Sequence, residues 1–291
     1  MTRALVTGAG GFVGQHLCAR LIAGGWEVWG TVRPGEPAPA GVHALPVDLT
    51  GPYDVPEVEV AFHLAAARSR ATPAERLATA TVNTMSGLHL VEALPASCRA
   101  VVRVGSSTEY AEADGPMTED APLRPRGFFG ATKAAGSLLL TAAAAERGLR
   151  SVVLRAFQVY GAHDKPTRLV PTVLRAAASG EVLPLTAPGS RRDWVHVDDV
   201  VEACLLAAAA DDLAPGQVLN VGTGVQTANE ELVAVAAEVT GREIRTSVGA
   251  HEGRSWDAAS WVADPSLARA LLGWEPRLDL RAGLARTWAA T

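Results

Sequence analysis

Residues 6–17, VTGAGGFVGQHL, carry the strongest indication of the fold in this sequence. They place Gly8, Gly11 and Gly14 between a short apolar run and an apolar helix. The first glycine permits a tight turn, the second lets the backbone approach a pyrophosphate, and the third lets the helix pack closely on the strand. Free N–H groups at the start of the helix attract phosphate. The stretch therefore predicts a dinucleotide-binding turn.

The following residues repeat this alternation of strand and helix. Short β-branched runs are separated by stretches rich in alanine and leucine. The runs are RALVTG (3–8), WEVWGTV (26–32), VEVAFHL (58–64), RAVVRVGS (99–106) and RSVVLRAF (150–157). Such a rhythm predicts an α/β protein whose parallel sheet is covered by helices on both faces. After about residue 165 the elements become shorter, which predicts a second, smaller lobe.

The composition indicates a chain that folds alone and binds no polyanion. Of the 291 residues, 48% are hydrophobic and 20% are charged, and the net charge is -5. The basic residues are scattered, so we predict neither nucleic-acid nor membrane binding. The N-terminal residues enter a strand without the long apolar segment of a signal peptide or membrane helix, which predicts a cytoplasmic protein.

The cysteines and histidines predict neither a disulfide framework nor a metal site. Cys18, Cys98 and Cys204 are odd in number, far apart and in apolar contexts. We interpret them as reduced core residues. The histidines lack metal-ligand spacing, so no metal is predicted.

Local signals mark several helix starts. Residues 72–75 and 227–230 read TPAE and TANE, and each pattern predicts a capping box. Asp198 and Asp199 begin an apolar helix, which favours a role as cap and first-turn acids over a catalytic carboxylate pair.

Arg33 determines the predicted cofactor. The residue that binds the adenosine ribose is expected at the end of the second strand, where the sequence reads GTVRPG. An acid there would accept hydrogen bonds from a free 2′-hydroxyl, whereas an arginine pairs with a 2′-phosphate. We therefore predict NADP(H), with Asp48 and Leu49 placed near the adenine after the next strand.

Eight segments together resemble one protein family. They are TGAGGFVG (7–14), FHLAA (62–66), VGSSTEY (104–110), ATKAAG (131–136), LRAFQVYG (154–161), RRDWVHVDDV (191–200), LNVGTG (219–224) and DPSLARALLGWEP (264–276). Their order and spacing resemble the extended short-chain dehydrogenase/reductases, which include sugar-nucleotide epimerases and dehydratases. The resemblance implies a Rossmann doubly wound parallel sheet with a smaller interleaved C-terminal lobe. It places the cofactor domain at residues 1–164 and 193–222, and the substrate lobe at 165–192 and 223–291.

The resemblance also implies the site residues. The catalytic candidates are Ser106, Thr108 and Lys133, and the lysine grips the nicotinamide ribose. The other cofactor candidates are Gly8, Gly11, Phe12, Val13, Gly14, Arg33, Asp48, Leu49, His63, Leu64, Ala65, Ala66 and Asn83. The substrate candidates are Phe129, Gln158, Arg192, Arg254 and Asp257, of which the last three match positions that hold a substrate diphosphate. Trp194 and Trp256 are further candidates because they lie in the lobe that is expected to cover the substrate.

Two positions depart from the family pattern. In GFFGATK (127–133) Phe129 occupies the place of the catalytic tyrosine, and in RAFQVYG Gln158 occupies the place of an asparagine. The family tyrosine exchanges a proton, with its pKa lowered by the nearby lysine and the oxidised nicotinamide. A phenyl ring has no proton to exchange.

Three functions remain open from the sequence. The first is an NADPH-dependent ketoreductase; here the resemblance is to an atypical member that reduces an aromatic polyketide (angucyclinone-like) carbonyl in antibiotic biosynthesis, with the proton taken from substrate or water. The second is an NADP-dependent sugar-nucleotide ketoreductase or epimerase, and the third is a non-catalytic NADP(H) sensor. The first is favoured because Ser106, Thr108 and Lys133 are retained, and because reduction tolerates loss of a general acid better than removal of a hydroxyl proton does. The resemblance further implies a homodimer through helices at about 73–94 and 128–147.

Overall fold

The computed structural model describes residues 2–68, 71–186, 190–251 and 260–291. Strands and helices alternate along the chain, as the sequence predicts. The strands are β1 Arg3–Thr7, β2 Glu27–Val32, β3 His43–Pro46, β4 Val60–His63, β5 Ala100–Val104, β6 Arg150–Ala156, β7 Gln158–Tyr160, β8 Leu183–Thr186, β9 Arg191–His196, β10 Gln217–Val221, β11 Gln226–Ala228 and β12 Thr246–His251. The helices are α1 Phe12–Ala23, α2 Pro73–Ala93, α3 Phe128–Glu146, α4 Leu169–Ser179, α5 Val197–Ala209, α6 Asn229–Thr240, α7 Ser266–Leu272 and α8 Leu280–Ala289.

Within the described residues, seven strands form the central sheet in the order β10-β6-β5-β4-β1-β2-β3. The neighbours from β6 to β3 pair in parallel. The inner strand β4 is buried along its whole length, as expected for a strand covered by helices on both faces. This arrangement confirms the predicted α/β, doubly wound Rossmann fold. The five predicted runs contain the five inner members β1, β2, β4, β5 and β6.

The chain divides into two compact units. The first comprises residues 1–111, 122–155 and 201–219, and the second comprises 112–121, 156–200 and 220–291. This division follows compactness and does not show which part binds cofactor or substrate. The functional boundaries at residues 164, 193 and 222 therefore stay a prediction.

The core of the first unit lies between the sheet and the packed helices α2 and α3. Leu5, Ala61 and Val101 of the sheet meet Leu90 of α2 and Leu140 of α3 in one buried cluster. The three cysteines are also buried, and burial raises the pKa of the Cys18 and Cys204 thiols to about 12. Such thiols stay protonated, which agrees with their interpretation as core residues.

Helix α3 is long and apolar enough to cross a membrane by length and composition alone. Half of that stretch is buried inside the protein, and core helices pass the same test. Leu138 and Leu139 of α3 and Leu77 of α2 are exposed. The predicted dimer through these helices and the predicted cytoplasmic location both stay predictions.

The second unit has its own core and two small sheets. One sheet has the order β11-β9-β7 and the other pairs β12 with β8. Tyr160, Leu174, Trp194 and Leu232 contribute to the buried cluster of this unit. Asp199 of α5 accepts hydrogen bonds from the backbone of Arg277 and Leu278, which agrees with a structural role for this acid.

One of the two predicted capping boxes is confirmed and the other is wrong by one residue. The side chain of Thr72 accepts from the Glu75 N–H, and the Glu75 carboxylate accepts from the Thr72 N–H. Helix α6 instead begins after Ala228, whose N–H donates to Glu231 at 2.9 Å. Thr227 cannot cap because it is the central residue of β11, paired with β9.

Candidate active site

The turn between β1 and α1 has the geometry that the glycine pattern predicts. Gly8 has φ +72°, a conformation that side chains rarely adopt, and its N–H donates to Thr31 Oγ1 at 3.0 Å. A Cβ on Gly14 would lie 2.2 Å from the Gly8 carbonyl oxygen. Any side chain at position 14 would therefore push α1 away from the turn.

The N-terminus of α1 fits the diphosphate of a dinucleotide. The N-cap is Gly11, no side chain caps the helix, and the first turn contains no acid. Gly10 and Gly11 are exposed, and a Cβ on Gly10 would meet open space. Phe12 and Val13, both partly exposed, follow in the first helical turn. The N–H groups of this turn and the helix dipole favour a negative group at this position.

The residues expected around the adenosine lie at the ends of β2 and β3. Arg33 follows β2 directly; its side chain is 83% exposed and lies 3.2 Å from Glu36. An exposed pair of this kind is weak, so it leaves the guanidinium accessible to a phosphate. Asp48 is exposed and its carboxylate accepts two hydrogen bonds from Thr50, which lower the pKa of this acid. Leu49 is partly buried beside it.

The segment after β4 is held in place by the buried Asn83. The Asn83 amide accepts from Ala67 N at 2.8 Å, donates to Ala67 O at 3.0 Å and donates to Thr132 Oγ1 at 2.9 Å. It therefore joins this segment to α3. Of the predicted cofactor residues in the segment, Ala66 is exposed, Leu64 is partly buried and Ala65 is buried.

His63 does not line the cofactor site with its side chain, contrary to the prediction. The ring is 1% exposed, and its nitrogens lie 2.8 Å from Thr7 Oγ1 and 3.2 Å from Ser86 Oγ. Burial lowers the pKa of His63 well below its ordinary value, so the ring is neutral. Its role is to join β1 and β4 to α2.

Ser106 and Thr108 form a hydroxyl pair at the end of β5. Their side-chain oxygens are 2.8 Å apart, and Ser106 Oγ also accepts from the Thr108 N–H. Thr108 is exposed and Ser106 is partly buried, so a ligand can reach the pair. A short 3-10 helix, Ser107–Glu109, fixes this geometry because the Glu109 carboxylate accepts from the Ser106 N–H at 2.9 Å.

Lys133 and Phe129 lie one turn apart on α3, with the hydroxyl pair packed against the start of the same helix. Lys133 is buried and its Nζ donates to Val104 O at 2.6 Å. A Cβ on Gly130 would lie 2.1 Å from Thr108 O, so this glycine permits the close contact between α3 and Thr108. Phe129 is partly buried, with the guanidinium carbon of Arg68 3.9 Å from its ring centroid.

A buried charge network surrounds Lys133. The pKa of Lys133 is lowered to about 7, mainly by burial and also by the charges of Arg103 and Arg68, while the charge of Glu109 acts in the opposite direction. Arg103 is fully buried and donates to Ser137 Oγ and to Asn83 O. Sequence reasoning missed Arg103 and Glu109. The signal for Arg103 was a charged residue inside the apolar run AVVRV.

The substrate candidates of the second unit lie on β7 and β9. Gln158 is partly buried and is the β-ladder partner of Trp194. The Trp194 side chain is packed edge-on against Tyr160 and also borders a cavity of about 230 Å³. Arg192 is partly buried and donates to the Arg191 carbonyl oxygen.

Three predicted substrate residues belong to the segment 252–259. Arg254, Trp256 and Asp257 lie outside the described residues. Their assignment to a substrate pocket therefore stays a prediction.

A Rossmann sheet, a glycine turn without a side-chain cap and a hydroxyl pair next to α3 are typical of a dinucleotide-dependent oxidoreductase. Residues 4–222 match the NAD dependent epimerase/dehydratase family, and the chain belongs to this family. This result confirms the resemblance to extended short-chain dehydrogenase/reductases. It also agrees with the prediction that the protein is an enzyme.

Similar proteins act, by their names, on nucleotide-linked sugars. The chain is 32% identical over 307 residues to a UDP-glucose 4-epimerase of Mycolicibacterium smegmatis, covering 98% of this chain and 97% of the relative. It is also 32% identical over 309 residues to a dTDP-6-deoxy-L-talose 4-dehydrogenase (NAD(P)(+)) of Kitasatospora kifunensis, covering 99% and 95%. The solved structure of MoeE5 in complex with UDP-glucose and NAD has a TM-score of 0.88 and 34% identity, covering 99% of this chain and 98% of that one. These relatives support the sugar-nucleotide alternative better than the aromatic polyketide prediction.

Proposed function

We propose that this protein is an NAD(P)H-dependent ketoreductase that reduces a carbonyl group without a tyrosine acid. One observation carries the proposal: Phe129 occupies the tyrosine position while Ser106, Thr108 and Lys133 keep their places around it. A sensor that only binds cofactor has no need of the reachable hydroxyl pair. An epimerase must remove a proton from an unactivated hydroxyl, which requires a base at this position.

The hydroxyl pair can donate one hydrogen bond to the substrate. Each hydroxyl has one donor hydrogen; one of them lies between Ser106 Oγ and Thr108 Oγ1, so the other is left for a third partner. When bound, the nicotinamide cofactor supplies the hydride that adds to the carbonyl carbon. The carbonyl oxygen then gains negative charge, which the remaining hydroxyl stabilises. Its proton comes from water or from an acidic group of the substrate itself.

Two substrate classes fit this chemistry, and each has its own support. A nucleotide-linked keto sugar is supported by the relatives, because the talose dehydrogenase and the epimerase are named for nucleotide-linked sugars. Of the three residues that are predicted to bind the diphosphate of such a substrate, Arg192 is the one that lies within the described residues. An aromatic polyketide (angucyclinone-like) ketone is supported by Phe129, because a phenol beside the carbonyl would supply the proton that the protein lacks.

The test of this function measures NADPH oxidation with a dTDP-4-keto sugar and with a phenolic aromatic ketone. We expect at least one of them to consume NADPH and yield the matching alcohol in equal amounts. UDP-glucose is expected not to be converted to its 4-epimer. If neither ketone oxidises NADPH while the cofactor binds, the protein is a sensor and the proposal is wrong.

Phe129→Tyr tests whether restoring the family tyrosine, and with it a protein acid, increases the activity. If the proton comes from the substrate or water, this variant is expected to gain little activity, because the added hydroxyl would need a hydrogen-bond partner of its own. Ser106→Ala and Thr108→Ala should each lower the rate by about 10-fold or less, the value of one ordinary hydrogen bond. A hundredfold gain in Phe129→Tyr would show that the tyrosine was simply lost.

We also propose that the cofactor is NADP(H) rather than NAD(H), on the position of Arg33 after β2. Loss of a charge-assisted hydrogen bond to the 2′-phosphate should weaken NADPH binding to Arg33→Ala by about 10- to 100-fold. The affinity for NADH should hardly change, because its ribose has no phosphate. Dissociation constants measured by calorimetry for both cofactors test this, and an equal loss for both would contradict the assignment.

A further inference from the structure

The guanidinium of Arg68 lies over the side chain that replaces the family tyrosine. Its guanidinium carbon lies 3.9 Å from the centroid of the Phe129 ring, the spacing of a cation–π contact. Stacking uses the face of a guanidinium, whereas its five N–H donors lie in its plane. The Phe129 ring therefore keeps the permanently charged guanidinium of Arg68 beside the position at which the family has a phenol.

The backbone beside Arg68 is fixed relative to α3. Asn83 makes two hydrogen bonds to Ala67, the residue before Arg68, and a third to Thr132, the residue before Lys133. The Thr132 hydroxyl in turn donates to Phe129 O at 2.9 Å. Because Asn83 is buried, this connection is shielded from water, and it holds Arg68 and Phe129 in one local structure.

The charges around this position favour an anion. Arg68 and Arg103 both repel the ammonium of Lys133, and Glu109 is the acid that attracts it. The Glu109 carboxylate is buried and engaged by Arg155 Nε at 3.2 Å and by the Ser106 N–H. Arg155 offsets the charge of Glu109, and Arg68 and Arg103 add two further positive charges, so the surroundings of Phe129 and Lys133 are electropositive.

We propose that Arg68, stacked on Phe129, binds a negatively charged oxygen of the substrate beside the carbonyl that is reduced. This inference rests on the proposed function. An arginine stays charged and gives no proton, so Arg68 stabilises an anion and does not act as the acid. The anion is an oxygen with localised charge. An aromatic ketone supplies it as the phenolate that is left when a neighbouring phenol gives its proton to the reduced carbonyl oxygen, and a uronic acid sugar supplies it as a carboxylate.

Two binding measurements on the full chain with oxidised cofactor test this role. In the first, alizarin, a planar hydroxyketone whose colour reports phenol ionisation, is titrated with pH while bound. In the second, the dissociation constants of UDP-glucuronic acid and UDP-glucose are compared, because the two differ in a carboxylate. Each is measured for the unaltered protein, for Arg68→Gln and for Arg68→Lys.

Arg76→Gln is the matched control. Arg76 belongs to α2, and its guanidinium carbon lies 5.7 Å from the centroid of the neighbouring Phe128 ring. It is thus a second arginine over an aromatic ring of the same helix turn. Its replacement removes the same charge but is expected to leave both measurements unchanged.

The inference is supported if either ligand depends on the charge of Arg68. We expect the phenol of bound alizarin to titrate about one pH unit or more higher in Arg68→Gln, as for loss of a nearby opposite charge. Alternatively, Arg68→Gln should bind UDP-glucuronic acid about 10- to 100-fold more weakly with UDP-glucose unaffected, and Arg68→Lys should recover part of the loss. The measurement that depends on Arg68 shows whether a phenol or a carboxylate supplies the anion.

The inference is overturned if neither ligand binds, if neither depends on Arg68, or if UDP-glucose loses as much affinity as UDP-glucuronic acid. NADPH oxidation with the two ketones is measured on the same preparations. A wrong proposed function would give no oxidation while the Arg68-dependent binding persists. A wrong inference would leave oxidation intact while binding is independent of Arg68.

Discussion

Lys133→Met is expected to lower ketone turnover by about 100-fold or more, the cost of misplacing reacting groups by roughly 1 Å. Lys133 Nζ is held at 2.6 Å from Val104 O, inside the protein and one turn from Phe129. A group fixed in this way orients a ligand, and methionine fills the same space without the donor. The affinity for NADPH should fall as well, because the lysine is expected to grip the nicotinamide ribose.

The control for this variant is Lys165→Met, which removes an exposed lysine of the second unit. Turnover and the NADPH dissociation constant are measured for both variants. We expect Lys165→Met to match the unaltered protein. Unchanged affinity and rate in Lys133→Met would mean that this lysine only contributes to the packing of α3.

The same variant should change how stability depends on pH. The pKa of Lys133 is about 7 in the folded protein, against an ordinary value of 10.5, because burial disfavours the ammonium. Between these values the unfolded chain binds more protons than the folded one, so this group makes stability rise as pH rises. Below pH 7 the buried ammonium of Lys133 destabilises the folded protein by its full amount. Above pH 10.5 the lysine is neutral in both the folded and the unfolded state, and this destabilisation is absent.

Urea unfolding of the cofactor-free protein at several pH values between 7 and 9.5 tests this sign. Lys133→Met is expected to be more stable than the unaltered protein at pH 7, and the difference should shrink as the pH rises. Parallel curves for the two proteins would show that Lys133 is not destabilised by burial. If Lys133→Met loses turnover but gains free energy of unfolding, the lysine is kept for function and not for stability.

Glu109→Gln is expected to destabilise the fold by about 3 to 5 kcal/mol, the cost of leaving a buried charge without its partner. The carboxylate is fully buried, and its Oε2 lies 3.2 Å from Nε of the buried Arg155. Arg103 is also buried, and the charge of Glu109 raises its pKa against the effect of burial. Glutamine keeps the shape but leaves these two guanidinium groups without the compensating charge.

Asp211→Asn is the matched control for this charge removal. Asp211 lies 3.4 Å from Arg150, but its side chain is 81% exposed. Exposed pairs contribute about 0 to 1 kcal/mol, so the free energy of unfolding should hardly change. Equal effects of the two variants in urea unfolding would contradict the importance of the buried network.

Several elements could be predicted because their signals are local. The run VEVAFHL contains β4, and TPAE forms the capping box of α2, since strand propensity and N-terminal capping depend on adjacent residues. The start of α6 was misplaced by one residue because Thr227 pairs with Arg192 in a sheet, a partner that the local sequence does not reveal. His63 was assigned to the cofactor because its position in a motif does not show which way its ring points.

The Rossmann fold, the glycine turn and the absence of a phenol at position 129 could all be predicted from the sequence alone. Each of these follows from the chemistry of a few adjacent residues. The tertiary structure decided that Arg68 covers Phe129, that Asn83 joins their segments, and that Arg103 and Glu109 set the charge around Lys133. These contacts join residues far apart in the chain, and both the pKa of Lys133 and the charge presented to a substrate depend on which side chains folding buries together.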